Sequence, residues 1–176
     1  MSSVVISGDT SGAITLAAPA VSGTNTATLP AATGTVMVSG NMPAFSATST
    51  TLTTVTTATF TKIAFQSEEF DTNSYYDNAT NYRFTPLIAG YYQVSGNVNT
   101  AAATGTALTT IYKNGSRFKD GNSIISGGES QVSALVYLNG STDYVELWYY
   151  QSSGISQTTQ VNVWNAYFQA AMIRSS

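Results

Sequence analysis

Cysteine and histidine are both absent. No disulfide, thiolate nucleophile or Ser–His–Asp triad can be built, and nearly every zinc site is excluded. Charge is scarce, with Asp, Glu, Lys and Arg making up 9% of the 176 residues, against about 25% in an average soluble domain. Six Lys and Arg against nine Asp and Glu leave a net charge of −3. There is no basic patch to neutralise phosphates, so nucleic acid is not an expected partner. No run approaches the ~18 apolar residues of a membrane helix, so membrane insertion is not expected. Met1-Ser2-Ser3 has neither the basic nor the apolar region of a signal peptide, and synthesis in the cytoplasm is expected.

What remains is apolar and uncharged-polar. Hydrophobic residues make up 43% of the chain, enough for a core. Residues 1–61 carry one charged side chain, Asp9, and all six Lys and Arg lie at Lys62 or beyond. A free, solvated tail is normally charged. This segment reads instead as an extended, β-rich docking arm over 1–42, packed on sister subunits or a larger assembly. Ser3–Ile6, Ala13–Leu16, Thr26–Pro30 and Thr35–Val38 read as short β-segments divided by Gly, Pro and Asn. Val4, Ile6, Ile14, Leu16, Leu29 and Val36 are its candidate docking residues.

From Pro43 the pattern is one of many short strands, with no apolar 3.6-residue period of helical length. In Gly90–Val98, Tyr92, Val94 and Val98 share one face, while Gln93, Ser95 and Asn97 share the other. That is a half-buried antiparallel strand. Asn114-Gly115 is a strong hairpin signal, since a type I′ turn needs positive φ at both central residues, and Asn139-Gly140 repeats it. The class is all-β.

Two late strands are apolar on both faces. Val145, Leu147 and Tyr149 can enter a core, while Tyr144, Trp148 and Tyr150 share the other face with Glu146. Trp164, Phe168 and Met172 alternate with Tyr167 and Ile173. The second faces would stand in water unless a partner covers them. Tyr144, Trp148, Tyr150, Tyr167 and Ile173 are therefore candidate subunit-interface residues. Trp148, Tyr149, Tyr150 and Trp164 also offer rings on which a sugar could stack.

Glu68, Glu69, Asp71 and Asp77 form the one acidic cluster. Paired carboxylates can cleave a glycosidic bond or hold calcium, but four acids within ten residues read more simply as a solvated loop. The Ser and Thr runs lack a base. Neither enzyme activity nor a metal or cofactor is expected.

The stretch Phe65–Gly96 resembles the signature of the complement q-type globular head, within the tumour necrosis factor-like superfamily. Phe65, Asp71, Tyr76, Phe84, Gly90, Tyr92 and Val94 fill its places, and Phe84-Thr85-Pro86 and Gly90-Tyr91-Tyr92 match closely. Tyr112–Gly115 resembles its Asn-Gly hairpin, Leu138–Leu147 its later strand pair, and Phe168–Met172 its closing strand. Pro43–Ala47 is similar to its opening strand. The resemblance implies a jelly-roll head over 43–176 that assembles as a tight trimer, with Gly90 as an entry turn. The family's calcium ligands have no residue-by-residue counterpart here. Gly8–Gly12, Ile14–Leu16 and Gly23–Val36 are similar to segments of tailed-bacteriophage virion proteins. Together the two resemblances imply a phage virion protein, made in the host cytoplasm and carried on the virion surface. The favoured expectation is a homotrimeric capsid decoration, or cement, protein bound to the major capsid protein or another virion protein. The alternative is the receptor-binding tip of a short tail fibre or head fibre that binds a host surface glycan.

Overall fold

Thr, Val and Tyr recur at alternate positions, and β-branched and aromatic side chains fit a pleated surface better than a helix. The computed structural model, which describes residues 3–21, 23–28, 31–101, 104–125 and 128–176, carries this through as antiparallel strands and a single 3-10 turn at Ser39–Asn41. No described helix is long and apolar enough to cross a membrane.

The chain divides into two units, Met1–Gly34 and Thr35–Ser176. In the first, β1 (Ser3–Ser7) and β2 (Ala13–Ala17) form a hairpin, with Val4 opposite Leu16 and Ile6 opposite Ile14. The intervening turn is closed by Gly8 N–H donating to the Gly12 carbonyl at 3.0 Å. None of the described side chains from Val4 to Gly34 is buried.

Thr26–Thr28 and Thr35–Val38, which read as strands, form none. An extended segment needs a neighbour for its N–H and C=O groups, and here Asn41 takes that place. Its Oδ1 accepts from Val38 N–H at 2.7 Å and its Nδ2 donates to the Val36 carbonyl at 3.1 Å. Thr35–Met42 belong to the second unit rather than to the arm, and Met37 packs on the core there.

In the second unit, β3 (Ala44–Thr48), β4 (Thr54–Val55), β5 (Thr61–Lys62), β6 (Ser67–Asp71), β7 (Tyr76–Asp77) and β8 (Arg83–Phe84) are short. The longer β9 (Gly90–Thr100), β10 (Thr106–Lys113) and β11 (Ser116–Asp120) follow. Then come β12 (Ile124–Ile125), β13 (Gly128–Leu138), β14 (Val145–Gln151), β15 (Gln157–Thr158) and β16 (Tyr167–Ser175). One sheet runs β13-β9-β16-β3-β6, and the other runs β11-β10-β14-β8-β7, with β12 on β10 and β5 on β14. β4 pairs with β15 apart from both.

The core lies between the two sheets, and strand alternation selects its members. Tyr92, Val94 and Val98 of β9 point inward with Phe168, Ala170 and Met172 of β16; Val145, Leu147 and Tyr149 of β14 meet them from the other side. Phe45 is the hub. It stacks on Tyr76 and on Phe84, both at 4.6 Å between ring centroids, and meets Phe168 edge-on at 5.1 Å. Tyr76 and Phe84 belong to one sheet, Phe45 and Phe168 to the other, so this cluster binds the layers together.

The two Asn-Gly pairs have different roles. Asn114 (φ 52°) and Gly115 (φ 75°) turn β10 into β11. Asn139-Gly140 instead carries the chain across from β13 in one sheet to β14 in the other. Asn139 Oδ1 accepts from the N–H groups of Ser141, Thr142 and Asp143 at 2.9–3.0 Å. Gly140 has φ 69°, and a Cβ there would strike the backbone of Ile88, its carbonyl carbon 2.8 Å away. Gly90 is not a turn residue. It opens β9 with its missing side chain against Met172 and the Arg174 carbonyl of β16, so close approach, not turning, requires glycine there.

Replacing Phe45, 1% exposed, by Ala should cost about 3–5 kcal/mol. Urea unfolding of the full chain checks this; a loss under about 1 kcal/mol would mean that the ring cluster does not hold the sheets.

Candidate functional site

The hairpin brings four of the six arm candidates onto one face. Val4, Ile6, Ile14 and Leu16 alternate on paired strands and are 55–68% exposed. Ser7, Ala13, Thr15 and Ala17 lie on the opposite face with Val5. Leu29 lies outside the described residues. Val36 is 71% exposed and belongs to the second unit.

The five interface candidates fall on two opposite surfaces. Tyr144, Trp148 and Tyr150 belong to the outer side of the β14 sheet, and none is fully exposed. Trp148 stacks on Tyr112 at 4.4 Å between centroids, and its Nε1 donates to Glu146 Oε2 at 3.0 Å. Phe60 lies 5.0 Å from the Tyr150 ring, and the Arg117 guanidinium sits 4.6 Å over the Phe60 ring. Arg83 sits over Tyr144 at 4.4 Å. Lys62 pairs with Glu146 at 3.1 Å. The segment through Phe60 and β5 thus folds back against part of this band, for which a subunit contact is expected.

The outer face of the five-stranded sheet lacks such a cover. Tyr167 begins β16, and Ile173 is the extra residue of a bulge between Met172 and Arg174, 55% exposed. Beside them stand Tyr91, Leu135 and Tyr137, 40–54% exposed, which sequence reasoning had not singled out. Their signal was present: Leu135 and Tyr137 alternate with the core residues Val136 and Leu138. Tyr91 and Tyr137 are cross-strand partners with rings 5.4 Å apart. Phe70 overlooks a hollow of about 250 Å³ bordered by Gln93, Gln169 and Ala171.

Three glutamine amide groups of this face donate across strands. Gln93 Nε2 donates to Ser133 Oγ at 2.7 Å, Gln169 Nε2 to Ser95 Oγ at 3.1 Å and Gln131 Nε2 to the Tyr167 hydroxyl at 2.7 Å. Each of these bonds fixes the side chain and leaves the carboxamide oxygen for a partner surface or water.

Trp164 is not in the strand at all. It occupies the turn before β16 and is 78% exposed. Tyr149, by contrast, is core, its hydroxyl 3.3 Å from Thr100 Oγ1.

The acidic residues mostly serve their own loop. Glu69 accepts from Ser46 Oγ at 2.6 Å and Asp71 from Tyr76 N–H at 2.7 Å. Asp77 Oδ1 accepts from the N–H groups of Ala79 and Thr80, and Oδ2 from Asn81. Burial and then Asp71 push the Glu68 carboxyl upward. No group of three or more acidic side chains able to hold a metal occurs among the described residues.

No known sequence family matches the chain, and no curated protein matches it. Solved structures do resemble it. Murine APRIL superposes with a TM-score of 0.61 at 9% identity, over 75% of this chain and 99% of its own. The Eiger TNF of S. frugiperda gives 0.57 at 7% identity, over 77% and 93%. The PRD1 vertex protein P5 gives 0.52 at 15% identity, over 75% and 97%. The protein has a tumour necrosis factor-like jelly-roll fold, and the PRD1 vertex protein P5 is among the structures that share it.

Asp77 supplies a pH signature. Hydrogen bonds from Thr80 N–H first, then Ala79 and Asn81, lower its carboxyl from 3.8 to about 2. A depressed pKa stabilises the fold above the unfolded value, and that contribution is lost as pH falls through the folded one. Melting of Asp77→Ala should therefore lie below wild type near neutrality. The gap should narrow as pH falls from 3.8 towards about 2, and a constant gap would be contrary evidence.

Proposed function

We propose that the protein is a phage virion structural protein, a homotrimeric capsid decoration protein whose N-terminal hairpin docks on the major capsid protein or another virion protein at the particle surface. The observation that carries this reading is the uncovered hairpin face of Val4, Ile6, Ile14 and Leu16. A lone two-stranded hairpin is marginal in water, and this one buries nothing within its own unit. Asp9 is its one charge, so its contacts are apolar burial and strand-edge pairing. The likeness of the fold to PRD1 vertex protein P5 supports the virion setting.

The trimer forms through the outer face of the β13-β9-β16-β3-β6 sheet, where Tyr91, Leu135, Tyr137 and Ile173 stand uncovered and the intervening Gln93 and Gln169 are held by cross-strand bonds to serine hydroxyls. Three linked arms raise one another's effective concentration, so each needs only modest affinity. A trimer of this kind can clamp neighbouring capsomers and resist the outward pressure of packaged DNA.

Sedimentation of the full chain should give three times the 18.5 kDa chain mass, and Leu135→Glu should reduce it to monomer. A wild-type monomer at micromolar concentration would count against the assembly. Deleting residues 2–34 should leave a folded trimer that no longer associates with particles. Particles lacking the protein should release DNA at a lower temperature, read with an intercalating dye. Because the arm is nearly uncharged, added salt should not strip the protein from particles. An unchanged release temperature together with lost adsorption to cells would move the assignment to the receptor-binding fibre tip.

A further inference from the structure

At one end of the five-stranded sheet lies a cavity of about 250 Å³ lined by Asn97, Asn122, Glu129, Gln131, Trp164 and Tyr167. Its floor is a single cross-strand row, with Gln131 and Tyr167 flanking Asn97 in register. Tyr91 lies six residues earlier on β9, about 20 Å away at roughly 3.4 Å per residue. The Tyr91–Tyr137 pair and this cavity thus stand towards opposite ends of the same outer face. β3 enters the sheet at the far side too, Ala44 opposite Ala171 and Thr48 opposite Tyr167. The cavity thus lies at the Thr48 end of β3 rather than at its Ala44 end.

Three features make it a built site. First, Trp164 is held outward on a fixed turn: the Asn162 carbonyl accepts from Asn165 N–H at 3.2 Å and Ala166 N–H at 3.0 Å. The Asn165 carbonyl in turn accepts from Asn97 Nδ2 at 3.2 Å. Second, Asn97 is 4% exposed and its Oδ1 has no donor, and the Asn165 Oδ1 beside it is also unpaired. Leaving a buried acceptor unsatisfied is costly. Third, Glu129 accepts from Asn97 Nδ2 across a long 3.4 Å, a bond that a ligand hydroxyl can outcompete.

The lining selects a chemistry. It contains no Lys or Arg, so phosphate, sulfate and acidic sugars find no counter-charge. It contains one carboxylate, too few for a calcium site. A flat indole beside carboxamide, carboxylate and phenol groups suits a ring with an apolar C–H face and a hydroxyl rim. The volume is below the ~300–1,000 Å³ of pockets for larger ligands. We propose that this cavity is a binding site for a neutral pyranose, one residue of a surface saccharide. The site stands on the head alone, so it holds or fails independently of whether the arm anchors the protein to a particle.

The test uses the full-length protein. Saturation-transfer NMR and intrinsic fluorescence would be recorded against D-glucose, D-galactose, N-acetylglucosamine and N-acetylneuraminic acid, with Trp148→Phe leaving Trp164 as the reporter. At least one neutral sugar should bind saturably, with a dissociation constant on the order of millimolar, and the acidic sugar should bind more weakly. Trp164→Ala should weaken binding at least ~10-fold. Glu129→Gln should weaken the neutral sugar and narrow its advantage over the acidic one, with melting temperature unchanged. No response to any neutral sugar would overturn the proposal, as would full binding by Trp164→Ala. A change of sedimenting mass in Trp164→Ala would assign the cavity to a contact between copies and overturn it equally.

Discussion

Phe45 lies between two stacked rings and an edge-on third, and the sandwich is organised around that contact. Tyr76 and Phe84 reach it from one sheet, Phe168 shares its own. With few ion pairs among the described residues, the two layers are held mainly by apolar burial. Once Phe45 and Phe168 point inward, the period of two along β3 and β16 fixes every neighbour. Ser46 and Gln169 must point outward, and so must Gln93 and Ser95 on the adjoining β9. The surface of the head is thus a consequence of the core, residue by residue.

The two outer faces meet water differently. The β14 face is wrapped by its own chain: Phe60 lies against Tyr150, Lys62 pairs with Glu146, and Arg117 caps Phe60 and is itself paired with Asp120. The five-stranded face has hydrogen-bonded amides but uncovered Tyr91, Leu135, Tyr137 and Ile173. Five of the six basic side chains, Lys62, Arg83, Lys113, Arg117 and Lys119, are engaged with an acid or a ring. Scarce charge is spent on holding local structure, which leaves little to solvate a broad apolar face.

Much of this was legible in the chain itself. The inward set of β9, the two faces of β14 and the Asn114-Gly115 hairpin follow from alternation and from φ requirements that act within a few residues. Contacts between distant segments were not legible. Nothing near Trp148 announces that Phe60 and Lys62 will cover its sheet, since Lys62 reaches Glu146 across 84 positions. Asn139-Gly140 shows the same limit, because a local turn preference does not say whether the next strand pairs with the last or crosses to the other sheet. Trp164 has the parity of Phe168 and Met172, yet it is exposed because the strand begins only at Tyr167, after a turn closed by Asn162.

That displacement of Trp164 has a structural reason that also gives the head its polarity. At the Ala44 end, β16 runs past β9 through a bulge at Ile173, and the outward residues include Tyr91, Tyr137 and Ile173 beside Arg174. At the Thr48 end, the turn before β16 folds over the sheet, and Asn97, an outward residue by parity, becomes buried beneath it. Burying a carboxamide requires partners, and Glu129 and the Asn165 carbonyl supply them only for the Nδ2. One end of the same strand row is therefore rich in exposed aromatic and aliphatic side chains, suited to another protein surface. The other is hydroxyl- and amide-lined with an unsatisfied acceptor, suited to a polar ligand. A single register along β9 places these two chemistries about 20 Å apart, at roughly 3.4 Å per residue, so assembly at one end need not obstruct recognition at the other.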